Sequence, residues 1–108
     1  MEFRIQQTEE AIDDVSRMAA YMMETLHNQK AADDFLAMYN RQIDLLRTFP
    51  LGCRGIQYHY RGYQVMQKSF GTYYIFYIID NSEHLITILR VLKHTQNLKQ
   101  FFFESITN

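Results

Sequence analysis

Apolar and polar residues alternate from Glu2 to Gln6, with Phe3 and Ile5 apolar and Arg4 and Gln6 polar, which predicts a short half-buried strand. At Thr8 the pattern changes. The Thr8 hydroxyl can accept from backbone N–H groups two or three residues on, and Glu9, Glu10, Asp13 and Asp14 lie near the positive end of a helix dipole. Ile12, Val15, Ala19, Met22 and Leu26 then recur at steps of three and four, predicting an amphipathic helix that ends around His27 and Asn28. A second such stripe, Ala32, Phe35, Tyr39, Ile43 and Leu46, begins near Lys30. It stops at Phe49-Pro50-Leu51-Gly52, where proline lacks an N–H and disfavours helix in the residue before it. With about three residues between them, the two helices must form an antiparallel hairpin. Each carries one apolar stripe, so the hairpin needs a sheet beneath it.

The remainder supplies that sheet. Cys53 to Gly62 reads as an irregular stretch, followed by strand patterns at Tyr63–Ser69, Tyr73–Ile79 and Leu85–Leu92 with connections short enough for hairpins. The glycines at 52, 55, 62 and 71 read as turn residues. Leu98-Lys-Gln-Phe-Phe-Phe103 suggests a short terminal helix. The expected fold is α+β in the order β-α-α-β-β-β with a short C-terminal helix, a two-helix hairpin packed on a mainly antiparallel sheet, in a single domain spanning residues 1–108.

Composition narrows the class of function. The chain has 108 residues, enough for one core, and the run Tyr73–Ile79 is far too short to span a membrane. No apolar leader opens the sequence, and the single Cys53 has no partner for an internal disulfide, so a reducing, cytoplasmic setting is expected. Net charge is −1, but residues 1–50 hold five Lys or Arg against nine Asp or Glu, whereas residues 51–108 hold six against three. The second half could meet a polyanion, or the asymmetry could be chance. The histidines lack zinc-ligand spacing and no glycine-rich phosphate loop is present, so neither metal nor cofactor is expected. Tyr58, Tyr60 and Tyr63 beside Arg54 and Arg61 could stack bases or simply pack over the sheet.

Four stretches carry a resemblance to a known family: Thr8-Glu-Glu-Ala-Ile-Asp-Asp-Val15, Ile43-Asp-Leu-Leu-Arg-Thr-Phe-Pro50, Tyr73-Tyr-Ile-Phe-Tyr-Ile-Ile-Asp80 and Ile88-Leu-Arg-Val-Leu-Lys-His94. In this order and at these spacings the chain resembles the RelE/ParE superfamily of bacterial type II toxins along nearly its whole length. The resemblance implies a growth-inhibiting, plasmid-stabilising toxin neutralised by a cognate antitoxin, as a homodimer or a toxin–antitoxin hetero-oligomer. It also implies one of two activities: inhibition of DNA gyrase by binding, or ribosome-dependent cleavage of mRNA. A degenerate toxin kept for antitoxin binding is a third outcome.

Cleaving RNA requires a group to activate the ribose 2′-OH, positive charge for the phosphorane oxygens and an acid for the leaving oxygen. The catalytic candidates are His94, Arg90, Lys93 and Arg61, with Lys68 nearby in sequence. Alternation puts Arg90 and Leu92 on one face of their strand and Leu89, Val91 and Lys93 on the other. Arg90 then faces solvent or sits over a concave sheet surface. His94 follows the strand where ribonuclease members often keep a catalytic Arg or His, and is otherwise an exposed turn histidine. Several departures favour binding over cleavage. Lys68 is the only basic residue of Tyr63–Ser69, Tyr74 stands where an Arg would fall, and Gln100 and Phe101 replace the Tyr expected after the last strand.

Overall fold

The computed structural model describes residues 2–50 and 53–96. Strand β1 (Arg4–Gln7) leads into helix α1 (Glu9–Ala20), which continues as a π-helical turn, Tyr21–Thr25. Helix α2 (Gln29–Thr48) returns, and four strands follow: β2 (Arg54–Tyr60), β3 (Tyr63–Phe70), β4 (Tyr73–Asp80) and β5 (Leu85–Lys93). They form one five-stranded sheet in the order β1-β5-β4-β3-β2. β1 pairs with β5 in parallel, and the other neighbours are antiparallel. The α+β architecture is as expected, with one more strand than the sequence pattern showed. The helix expected at Leu98–Phe103, and positions Gln100, Phe101 and Gly52, lie outside the described residues.

The α2 stripe is buried at every expected position, Ala32, Phe35, Tyr39, Ile43 and Leu46. It packs with Ala11, Val15 and Ala19 of α1 over Ile75, Tyr77, Ile86, Ile88 and Val91 of the sheet. On the other face Val65, Phe76, Ile78, Leu89 and Leu92 make a second cluster. β4 is therefore covered on both faces, which is why it reads as an unbroken apolar run. In α1 the expected stripe slips. Ile12 is 49 % and Leu26 54 % exposed, while Ala11 is fully buried. The wider π-helical turn, with Leu26 N donating to the Tyr21 carbonyl, breaks the 3.6-residue period that had placed Leu26 on the core face.

Arg54–Tyr60 is the edge strand β2, not an irregular segment. Ile56, Gln57 and Tyr58 fall between the pairs Gly55–Met66 and His59–Gln64, opposite Val65 alone, so no strict alternation survives for sequence to show. Gly55 lies inside this strand instead of at a turn. A Cβ there would come within 2.6 Å of the Gln64 side chain, whose Nε2 donates to the Ile56 carbonyl across the bulge. Tyr58 and Tyr60 pack against the second cluster, so of the two readings it is packing on the sheet that the structure shows, from within a strand and not from a loop.

Thr8 joins the layers. Its hydroxyl accepts from Ala11 N at 3.1 Å and donates to the Leu89 carbonyl at 2.8 Å, while its own N–H donates to the Ile88 carbonyl. Thr8→Val keeps the shape and removes both hydroxyl bonds, so it is expected to cost about 1–2 kcal/mol in urea unfolding. A loss below about 0.3 kcal/mol would mean that water replaces the cap.

Candidate functional site

α1 leaves Thr8 beside β5 just where β5 is irregular. Phe76 pairs with Arg90 and Tyr77 with Ile88, so Leu89 is the extra residue of a β-bulge. This alters the expected alternation. Leu89 and Leu92 share the cluster away from the helices while Val91 joins the helix-side core. Arg90 neither faces solvent nor stands open over the sheet. It is 9 % exposed and grips Asp14 of α1, which is 5 % exposed, with Nε to Oδ2 and Nη2 to Oδ1 both at 2.8 Å. Val91 N adds a third bond to Oδ2 at 2.9 Å, and the Arg17 guanidinium lies 3.6 Å from Oδ1. Two parallel bonds in a fork geometry are the strongest form of such a pair.

Beside this pair lies a cleft of about 610 Å³. Its helical wall is Met18, Tyr21, Met22 and Leu26, from the end of α1 and the π-helical turn, and its sheet-side wall is Tyr73, Lys93 and Gln96. Lys93 Nζ sits 5.6 Å from the centroid of the Tyr21 ring at the mouth. Gln96 Oε1 accepts from Lys93 N at 2.7 Å, which fixes the chain as it leaves β5. Tyr73 packs on Phe35 with ring centroids 4.9 Å apart. Burial pushes its phenol up from the ordinary value, against a smaller opposing effect of Thr72, so at neutral pH it is a protonated donor and not a base. The lining residues thus offer apolar surface, two arginines, a lysine and one carboxylate already bonded to its neighbours. That chemistry suits binding.

The four sequence candidates do not converge. Arg90 and Lys93 border the cleft. His94, the next residue, is exposed and stacks on Tyr74, ring centroids 4.0 Å apart. Tyr74 packs against the cluster on the opposite sheet face, so Lys93 and His94 serve different faces. Arg61 occupies the first corner of the β2–β3 turn, where it and Gly62 both have positive φ, the geometry of a tight two-residue hairpin. Its guanidinium lies 5.1 Å from the Tyr60 ring centroid. β3 is 8 residues long, which puts Arg61 about 25 Å from the end of the sheet that holds Lys93. Sequence reasoning missed Asp14, Arg17, Met18, Tyr21 and Tyr73. Met18 carried a legible signal, since it lies four residues before Met22 and three before Tyr21, spacings that share a helix face.

The family model for the ParE toxin of the type II toxin–antitoxin system parDE matches residues 5–98. Among solved structures, one similar chain belongs to the chromosomal ParDE system from P. aeruginosa, with a TM-score of 0.65 and 14 % identity over 85 % of this chain and 96 % of that one. A second is from the RelBE2 toxin–antitoxin complex of Mycobacterium tuberculosis, with a TM-score of 0.60 and 19 % identity over 86 % and 99 %. A third is from the archaeal RelE–RelB complex of Pyrococcus horikoshii OT3, with a TM-score of 0.58 and 14 % identity over 90 % and 100 %. At these identities the likeness is one of fold. No curated protein matches.

Proposed function

Since the chain belongs to the ParE toxin family of type II toxin–antitoxin systems, we propose that it arrests growth by docking onto an essential target, DNA gyrase, and is released from that role by a cognate antitoxin. The observation that carries this reading is the dispersal of the cleavage candidates. Arg90 is engaged by Asp14, His94 lies across the sheet from Lys93, and Arg61 is at the far end. A ribonuclease needs base, acid and phosphate contacts within hydrogen-bond reach of one scissile phosphate. The end of β5 and the neighbouring cleft offer instead a recognition surface of apolar side chains and cations. Complexes of toxin with antitoxin among the structural neighbours support an antitoxin as partner.

The test is induction without antitoxin, with transcript 5′ ends mapped within minutes, beside a supercoiling assay of purified protein with gyrase. Growth arrest, inhibited supercoiling and no new 5′ ends are expected, and His94→Ala should leave arrest within about two-fold. Fresh ends at fixed codon positions, lost in His94→Ala, would replace this reading with ribosome-dependent mRNA cleavage. Absence of arrest would identify a degenerate toxin kept for its antitoxin.

A further inference from the structure

Helix α2 buries one stripe and carries a second. Ala31, Met38 and Leu45 recur every seven residues, roughly a quarter of a turn round the helix from the buried stripe. Met38 is 43 % and Leu45 40 % exposed, and Phe49, four residues on at the end of the helix, is 71 % exposed. Two charges lie among these apolar side chains. Asp34 falls between Ala31 and Met38 and Arg41 between Met38 and Leu45, each three or four residues from its neighbours and so on the same face. Asp34 is exposed and accepts from Lys30 Nζ at 2.8 Å, while Arg41 has no ion pair among the described residues. This face is separate from the cleft beside β5. Among the described residues none from α2 lines that cleft, and Met38 lies beside the β3–β4 turn, its Cε 3.6 Å from where a Cβ on Gly71 would stand.

We propose that this face of α2 pairs with the same face of a second copy of the chain, the two helices antiparallel about a two-fold axis at Met38. The acid precedes Met38 and the base follows it, an order that complements itself when one helix is reversed. At 1.5 Å per residue Asp34 stands about 6 Å before Met38 and Arg41 about 4.5 Å after it. Each Asp34 therefore comes level with Arg41 of the second copy to within about 2 Å along the axis, and symmetry makes the contact twice. Ala31, seven residues before Met38, comes level with Leu45, seven after it, so a small side chain faces a large one. Met38 meets its own counterpart on the axis, where a flexible thioether adapts to the space left. A parallel pair would set Asp34 against Asp34 and Arg41 against Arg41, so charge fixes the sense of the pairing. One helix face is a small interface, which makes the dimer weak and concentration-dependent.

Sedimentation equilibrium of the purified full chain, from about 1 μM to 1 mM, tests this. The average mass should rise from one chain toward two across that span. Arg41→Glu and Asp34→Lys should each raise the dissociation constant at least about ten-fold, because each sets like charges against one another at both contacts. An equimolar mixture of the two variants should restore association, since every charge contact across the mixed pair joins opposite signs again. Leu45→Glu should stay monomeric throughout. All three positions are exposed, so the variants keep the fold, as thermal unfolding would verify. A mass of one chain at the highest concentration would overturn the proposal and leave the face to a separate polypeptide. A dimer undiminished in Leu45→Glu, or a mixture that associates no better than its components, would overturn it too. Growth arrest in cells is a separate readout, so a chain that stays monomeric and still arrests growth leaves the proposed function standing.

Discussion

Asp14→Ala is expected to destabilise the domain by about 3–5 kcal/mol, because it leaves the Arg90 guanidinium buried without its counter-charge. The residue is on a helix surface by sequence and buried in fact. Three bonds end on its carboxylate, two from Arg90 and one from Val91 N, and alanine removes all three. A domain of this size holds about 5–15 kcal/mol in total, so much of its stability would go. The decisive comparison is the double variant Asp14→Leu with Arg90→Met. Apolar replacement of both partners removes the desolvation cost with the attraction, so it should recover most of the loss, and urea midpoints measure both. A loss under about 1 kcal/mol in Asp14→Ala would mean that water reaches Arg90. The same variant bears on function. Any loss of toxicity in Arg90→Ala has to be separated from unfolding before Arg90 is credited with contact to a target.

Stability is expected to fall steeply above about pH 10. Tyr39 and Tyr77 are buried phenols, the first donating to Gln7 Oε1 at 2.6 Å and the second to the Pro50 carbonyl at 2.9 Å. Burial is the main cause that raises both well above the ordinary phenol value, aided by Asp14 near Tyr39 and by Cys53 near Tyr77. Folded, both keep their protons. Unfolded, both lose them near pH 10, so unfolding releases two protons in the window from there up to the raised folded values. Their contribution is fully present below pH 10 and declines by about 1.4 kcal/mol per pH unit for each phenol as pH rises through that window. At pH 11.5 the pair alone should have cost about 4 kcal/mol. Urea midpoints between pH 8 and 12, with phenolate absorbance followed in parallel, check this. Tyr39→Phe and Tyr77→Phe should each remove about half the slope, and a slope unchanged in both would refute the assignment.

Helix α2 was legible in the sequence because it keeps one period over its whole length, and strands β3 to β5 because each is an apolar-rich run bounded by short turns. The five-residue stripe from Ala32 to Leu46 names the helix-side core without error. Legibility failed where the backbone adds a residue. The bulge at Ile56–Tyr58 hid β2, the bulge at Leu89 altered the faces of β5, and the π-helical turn moved Leu26 out of register. The site was readable only in part for a different reason. Lys93 and Arg90 announce themselves as charges at the end of an apolar strand, but the partner that fixes Arg90 is 76 residues away in sequence. Nothing local in Asp14 distinguishes it from Asp13. The sequence grouped Lys93 and His94 as candidates for one site, and only the stacking of His94 on Tyr74 places them toward different faces of the sheet.

The parallel pairing of β1 with β5 orders events during synthesis. β1 leaves the ribosome before the other strands and, among the described residues, has only β5 as its neighbour in the sheet, so it waits until Leu85–Lys93 has been made. The helical hairpin waits with it, because Ile86, Ile88 and Val91 supply part of its floor and Arg90 the counter-charge of Asp14. Closing so long a loop is slow, and the contacts that reward it come late. The cleft, walled by α1 on one side and β5 on the other, therefore forms only after β5 has been made. A nascent chain stalled before Leu85 carries the helical wall of that cleft and Tyr73, but not Arg90, Lys93 or Gln96.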